Sequence, residues 1–202
     1  MNATAALQLA DWRRQISELY AQVRVLGGGE RGWDVWREGK QRLYREHPQS
    51  PVALHRREGY VFRCYDYDAS MRVLAVPVPS EPRHVDGDAE VPGMTRIGTL
   101  RFTLHGADHE LGASWLDGYA GGVFVPFADT TSGSETYGGG RYVLDSAKGA
   151  DLGTDGDRMV VDFNFAYAPS CAHDPQWRCP LAPASSRLHI PVRAGEMGQS
   201  AI

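Results

Sequence analysis

Between residues 119 and 145 the chain reads YAGGVFVPFADTTSGSETYGGGRYVLD. An apolar run at 123–127 gives way to Asp129, Thr130 and Thr131, then to Glu135, Thr136 and Tyr137, three glycines and Arg141. A plain hairpin needs only one or two turn residues of the Asn-Gly type. Here two carboxylates, several hydroxyls, a phenol and a guanidinium crowd a single turn. Glycine is needed where backbone approaches something closely or adopts a positive φ. The chemistry such a set offers is acid–base. Asp129 or Glu135 is expected as general base or acid, and Tyr137 as proton donor or oxyanion partner. Arg141 is expected to clamp a carboxylate or phosphate through two hydrogen bonds, with Thr130 beside it in substrate binding. The alternative is a wide loop whose polar groups satisfy one another.

A second cluster follows at 162–183, DFNFAYAPSCAHDPQWRCPLAP. Asp162 and Asn164 alternate with two phenylalanines, which places both on one face if the segment is a strand. A hairpin around 128–140 brings Asp129 and Arg141 to the same end, where a carboxylate beside a guanidinium stays ionised. Asp162, Asn164 and Tyr167 are expected to join them on one concave, partly buried surface, because desolvated polar groups need partners. Cys171 and Cys179, seven residues apart in between, lie in a proline-rich loop. They read as neighbours bracing that loop rather than as a catalytic cysteine. A reducing cytosol argues for free thiols, and proximity for a labile disulfide.

Other chemistries are less well served. A metal site would draw on Asp129, Glu135, His173 and a cysteine, but no H-E-x-x-H or C-x-x-C pattern supports it, and no metal is expected. A serine hydrolase lacks its G-x-S-x-G elbow. The GGGE at Gly27 follows a helical pattern and lacks the G-x-G-x-x-G order of a dinucleotide loop. Asp151, Asp155 and Asp157 lack the rest of a calcium loop and read as a solvated turn. His84, His105 and His109 read as solvated. No cofactor signature is present, so the cofactor is unknown.

Positioning these groups falls to the rest of the chain. Leu9, Trp12, Ile16, Leu19, Val23 and Leu26 recur at steps of three or four, the period of one helix face. Trp33, Trp36, Leu43 and Tyr44 continue a similar stripe until His47-Pro48 stops it. Beyond residue 59 the period changes. Strands are predicted at 60–62, 71–78, 95–104, 110–116, 123–127, 141–144, 158–165 and 187–192, with a loop at 80–93. Short strands separated by turns predict a mainly β fold. They form an antiparallel meander closed as a barrel or sandwich, with one or two N-terminal helices packed on it. The expected organisation is a helical segment over 1–50, a β-domain over 51–197 and a tail over 198–202.

Gly and Pro number 35 of 202 residues, an excess that fits many turns and argues against a helix bundle. The net charge of −4 argues against a nucleic-acid binder, and no run reaches the ~18 apolar residues of a membrane span. Only Lys40 and Lys148 are lysines. The N-terminus lacks the basic and apolar regions of a secretory signal, so a cytoplasmic location is expected. The leading functional reading is an enzyme acting on a small polar or anionic molecule. A non-catalytic small-ligand barrel using the same residues is the alternative, and a metal-binding protein a second one. A homo-oligomer is left open.

Long, ungapped motifs add a resemblance. PFADTTSGSETYGGGRYVLD, DFNFAYAPSCAHDPQWRCPLAP and IPVRAGE resemble the C-terminal signature of the bacterial domain-of-unknown-function family 1684. Upstream, WDVWREGKQRLYREHPQSPV is similar to that family's W-x-x-x-R and H-P-x-S-P segment. The resemblance covers roughly residues 33–197. It implies that the two clusters form one site; it implies no activity, substrate or cofactor.

Overall fold

The computed structural model describes residues 2–85, 93–118 and 121–198. Helix α1 (Ala3–Val25) begins at Asn2, whose side chain accepts from the N–H of Ala5 and satisfies one of the free first-turn donors. It ends at the glycine run, where Gly27, Gly28 and Gly29 all take positive φ. Helix α2 (Gly29–Glu46) then folds back, and His47, the residue just past its end, meets Asp11 of α1 at 3.1 Å. Most of the apolar stripes read from the sequence are buried, Trp12, Ile16, Leu19 and Val23 on α1 and Trp36, Leu43 and Tyr44 on α2, whereas Leu9 and Trp33 are half-buried and Leu26 is exposed.

Among the described residues seven strands form one antiparallel sheet in the order β5-β4-β3-β2-β1-β7-β6. They are β1 (Arg72–Val85), β2 (Met94–Leu104), β3 (Ala107–Leu116), β4 (Gly122–Phe127), β5 (Arg141–Asp145), β6 (Thr154–Asp155) and β7 (Arg158–Asp162). The fold is mainly β with two helices packed on it. One apolar cluster joins the helices to the β part through Trp36, Tyr44, Phe62, Phe124, Phe165 and Tyr167. A second, with Leu100, Phe102, Val125, Phe127, Phe163 and Val192, fills the curl of the sheet. Among the described residues no helix is long and apolar enough to cross a membrane.

The expected closed barrel is corrected to a half-barrel. The sheet curls but its outer strands, β5 and β6, do not pair. Closure fails because the strand expected over 158–165 stops at Asp162. That side chain accepts from the N–H of Asn164 at 3.0 Å and turns Phe163–Phe165 into a 3-10 helix. Among the described residues only Tyr167 reaches across, pairing with Tyr142 of β5 in a single antiparallel bridge.

Three further strand expectations change. Residues 60–62 form no strand; the Gln41 side chain of α2 binds their backbone in place of a neighbouring strand, accepting from Phe62 N–H at 2.7 Å and donating to Tyr60 C=O at 2.9 Å. The loop expected at 80–93 is strand as far as Val85, despite the register shift between Pro79 and Arg83; residues 86–92 lie outside the described residues. The expected last strand at 187–192 is reduced to one parallel bridge between Arg187 and Ala128. Its end is held by side chains instead: Val192 C=O accepts from Arg141, and Val192 N–H donates to Asp129.

Candidate functional site

The loop between β4 and β5 carries the first cluster, and it sorts its residues by depth. At its base Asp129 and Arg141 form a 2.9 Å ion pair with side chains at most 1% exposed. Arg141 also donates to the carbonyls of Val192, Ala194 and Glu196. Asp129 accepts from the N–H of Thr131 at 2.7 Å and of Val192 at 3.4 Å. Burial pushes the Arg141 guanidinium below its ordinary range, and the adjacent Asp129 opposes this. The guanidinium is occupied by backbone and carboxylate, and it fastens the C-terminal segment to the sheet. Further along, the Thr131 and Thr136 hydroxyls pair at 2.9 Å in the interior. Thr130 is exposed, and its N–H reaches Ile190 C=O at 3.3 Å.

The tip of the same loop lines a crevice of about 570 Å³, with Arg63, Glu135, Tyr137, His173, Glu196 and Met197 among its walls. Arg193 grips Glu135 through Nε and Nη2 at 2.9 and 2.8 Å, and Tyr65 donates to it at 3.1 Å. The Arg193 hydrogen bonds hold the Glu135 carboxyl below its usual range, so it stays ionised. Tyr137 points its hydroxyl at the Cys171 sulfur, 3.6 Å away. Burial, and then the neighbouring sulfur, push the Tyr137 phenol up to about 12. It is therefore a protonated donor at neutral pH.

His173 and Glu196 supply the deep wall. Their Nε2 and Oε1 are 3.1 Å apart, with side chains 1% and 0% exposed, yet neither atom makes an aligned hydrogen bond. The other Glu196 oxygen accepts from Ala168 N–H at 2.9 Å. Tyr60 approaches His173 Nδ1 at 3.5 Å, and the Tyr44 ring packs against the imidazole edge. Cys171 and Cys179 are neighbours with free thiols: the Cys171 N–H lies 3.3 Å from the Cys179 sulfur.

The other expected residues lie elsewhere. Asp162 and Asn164 do meet, with the Asn164 amide donating to Asp162 at 2.8 Å. They face Arg72 and the backbone of Asp68, not the crevice. Burial pushes the Asp162 carboxyl up, and its bonds to Asn164 oppose this. Tyr167 donates to Asp145 at 2.9 Å. Its ring and that of Tyr44 each stand 4.4 Å from the Lys40 ammonium, which also contacts the Tyr44 hydroxyl at 2.6 Å. A cavity of about 30 Å³ beside this cage is lined by both lysines of the chain, Lys40 and Lys148. Among the described residues no group of three or more His, Cys, Asp or Glu is arranged to hold a metal.

Sequence reasoning therefore reached Glu135, Tyr137 and the two cysteines, and missed Arg63, Tyr65, Arg193 and the His173–Glu196 contact. His173 and Glu196 are brought together by a loop and a terminal segment without regular structure. No spacing rule marks such a pair. The one available signal was a glutamate in the quoted IPVRAGE motif, where a buried charge needs a partner.

No curated protein matches the chain in sequence. The solution NMR structure of an uncharacterized protein from Haloarcula marismortui is similar to it. The two are 36% identical with a TM-score of 0.60, over 80% of this chain and 89% of that one. Residues 61–197, which hold the crevice loop, both cysteines and the His173–Glu196 contact, match the family described as Protein of unknown function (DUF1684). The chain belongs to that family.

Proposed function

We propose that the crevice takes a small polar or anionic molecule and that the chain is an enzyme performing acid–base chemistry on it. The observation that carries this reading is the His173–Glu196 contact. Burying two such groups is costly unless their polar atoms are satisfied. Nε2 and Oε1 face each other at 3.1 Å, closed off from solvent, while their residues line the crevice, so the pair forms a polar floor beneath a ligand seated among Glu135, Tyr137 and Arg63. In this reading Tyr137 donates a proton or a hydrogen bond to an oxygen of the substrate. Glu135, held ionised, accepts a hydrogen bond or proton, and Arg63 supplies positive charge at the rim for an anionic group. Arg141 is not assigned to the substrate; it holds the loop and the terminal segment on which Glu196 sits.

The alternative is a binding protein without turnover. It is favoured by the Glu135 carboxylate, which Arg193 and Tyr65 already satisfy. One experiment addresses both. A panel of small hydroxy acids, amides and sugars is screened by thermal shift against the native chain and Tyr137→Phe, and each hit is then followed by NMR for product. An enzyme gives a hit whose stabilisation weakens in Tyr137→Phe and whose signals convert. A binder gives the first without the second. Hits that stabilise both chains equally would place the ligand outside this crevice.

A further inference from the structure

The thiol pair beside the crevice lends itself to chemistry that needs no substrate in it. We infer that Cys171 and Cys179 form a dithiol that low-molecular-weight disulfides oxidise, with Cys171 attacking and Cys179 resolving. Each sulfur takes a donor, and the Cys171 sulfur is the less buried of the two and so the more open to attack on an external disulfide. The Cys171 sulfur is half-buried and faces a hydroxyl donor, Tyr137 at 3.6 Å. The Cys179 sulfur takes the Cys171 N–H at 3.3 Å, which keeps the two side chains together across the intervening loop. A thiolate, not a thiol, is the attacking species, and donors aimed at the sulfur stabilise it. The Cys179 thiol and the Tyr137 hydroxyl bring Cys171 down to about 6, whereas the bond to Cys171 and burial push Cys179 up. Cys64, the third thiol, is raised to about 11 by burial and serves as an internal control.

The steps balance. The Cys171 thiolate attacks one sulfur of a disulfide such as oxidised glutathione; the Cys171–glutathionyl bond forms, the glutathione disulfide bond breaks, and a glutathione thiolate leaves. Cys179 gives its proton to that thiolate and attacks the Cys171 sulfur, displacing the second glutathione thiolate, which takes a proton from water. Two protein thiols are oxidised and one molecule of oxidised glutathione is reduced to two of glutathione. The low-lying Cys171 thiolate is also the better leaving group when a reductant attacks Cys179, so the bond is reversible. Oxidation turns the sulfur that the Tyr137 hydroxyl faces from a thiolate into a weaker, uncharged acceptor, which links the thiol pair to the crevice.

The full chain carrying Cys64→Ser is incubated with oxidised glutathione at neutral pH, quenched with acid, and read by intact mass and peptide mapping. The expected product has lost two hydrogens, joins Cys171 to Cys179, and is reversed by dithiothreitol. With Cys179→Ser added, a glutathione adduct accumulates on Cys171. With Cys171→Ser added instead, Cys179 reacts more slowly, by about threefold or more. A second measurement avoids variants: in the native chain, alkylation by iodoacetamide is followed at each cysteine against pH. Cys171 is expected to react first, with a midpoint near 6. Failure to form the intramolecular disulfide, an adduct that appears on Cys179 as fast as on Cys171, or Cys64 alkylated ahead of Cys171 would each overturn the inference.

Discussion

The two ends of the β4–β5 loop hold the same kind of interaction with opposite consequences. At the base, Arg141 and Asp129 meet at 2.9 Å with no access to water; near the tip, Arg193 and Glu135 meet at 2.8 Å with side chains 59% and 35% exposed. Charge type and distance are nearly equal, so burial decides what each pair does. An interior guanidinium that loses its partner leaves an uncompensated charge, whereas an exposed pair is screened by solvent. The base of the loop is architecture, and the tip is free to be chemistry.

The sharpest way to break this comparison is Arg141→Ala. It strands Asp129 and releases three carbonyls of the terminal segment, and should cost about 4 kcal/mol in urea unfolding. A near-native midpoint would show the base pair to be dispensable. Gly140→Ala attacks the base through backbone alone. Gly140 has a φ of +86°, and an added Cβ would lie 2.4 Å from the Phe127 carbonyl oxygen. A loss of about 3 kcal/mol is expected. Thr136→Val lies between the two ends: it leaves the buried Thr131 hydroxyl without its partner, for about 1–2 kcal/mol. The smallest effect belongs to the tip. At Gly138 an added Cβ meets nothing closer than 3.7 Å and φ lies outside the left-handed region, so Gly138→Ala should leave the thermal midpoint unchanged. Glu135→Gln should likewise move it little while weakening any ligand found in the thermal-shift screen.

The same contrast explains what was readable in the sequence. The stripe of Trp12, Ile16, Leu19 and Val23 is buried as its period requires, because a repeating local pattern reports a face. The β4–β5 hairpin was readable for the same reason, and it places Asp129 and Arg141 together. What they do there was not readable, since the same guanidinium that could clamp an anion can also cap carbonyls. Asp162 and Asn164 show a second limit. Their alternation with Phe163 and Phe165 implies a strand, but the Asp162 carboxylate competes for the Asn164 N–H and wins. The His173–Glu196 contact marks a third: it joins two irregular segments, and tertiary placement alone creates it.

The aromatic cage around Lys40 makes folding itself a consumer of protons' absence. Burial lowers this ammonium from its ordinary 10.5 to about 8 in the folded chain. Between those two values the unfolded chain holds a proton that the folded chain has released, so raising the pH through that window favours the folded state. The other buried tyrosines and the thiols titrate nearby, yet they are common to the native chain and to Lys40→Met and cancel in the difference; Tyr44, whose hydroxyl touches Lys40, is removed from it by making the same comparison in a Tyr44→Phe background. Native stability measured against Lys40→Met should therefore improve steadily from pH 8 to above pH 10. A difference that stays flat would mean that the rings hold the lysine charged throughout.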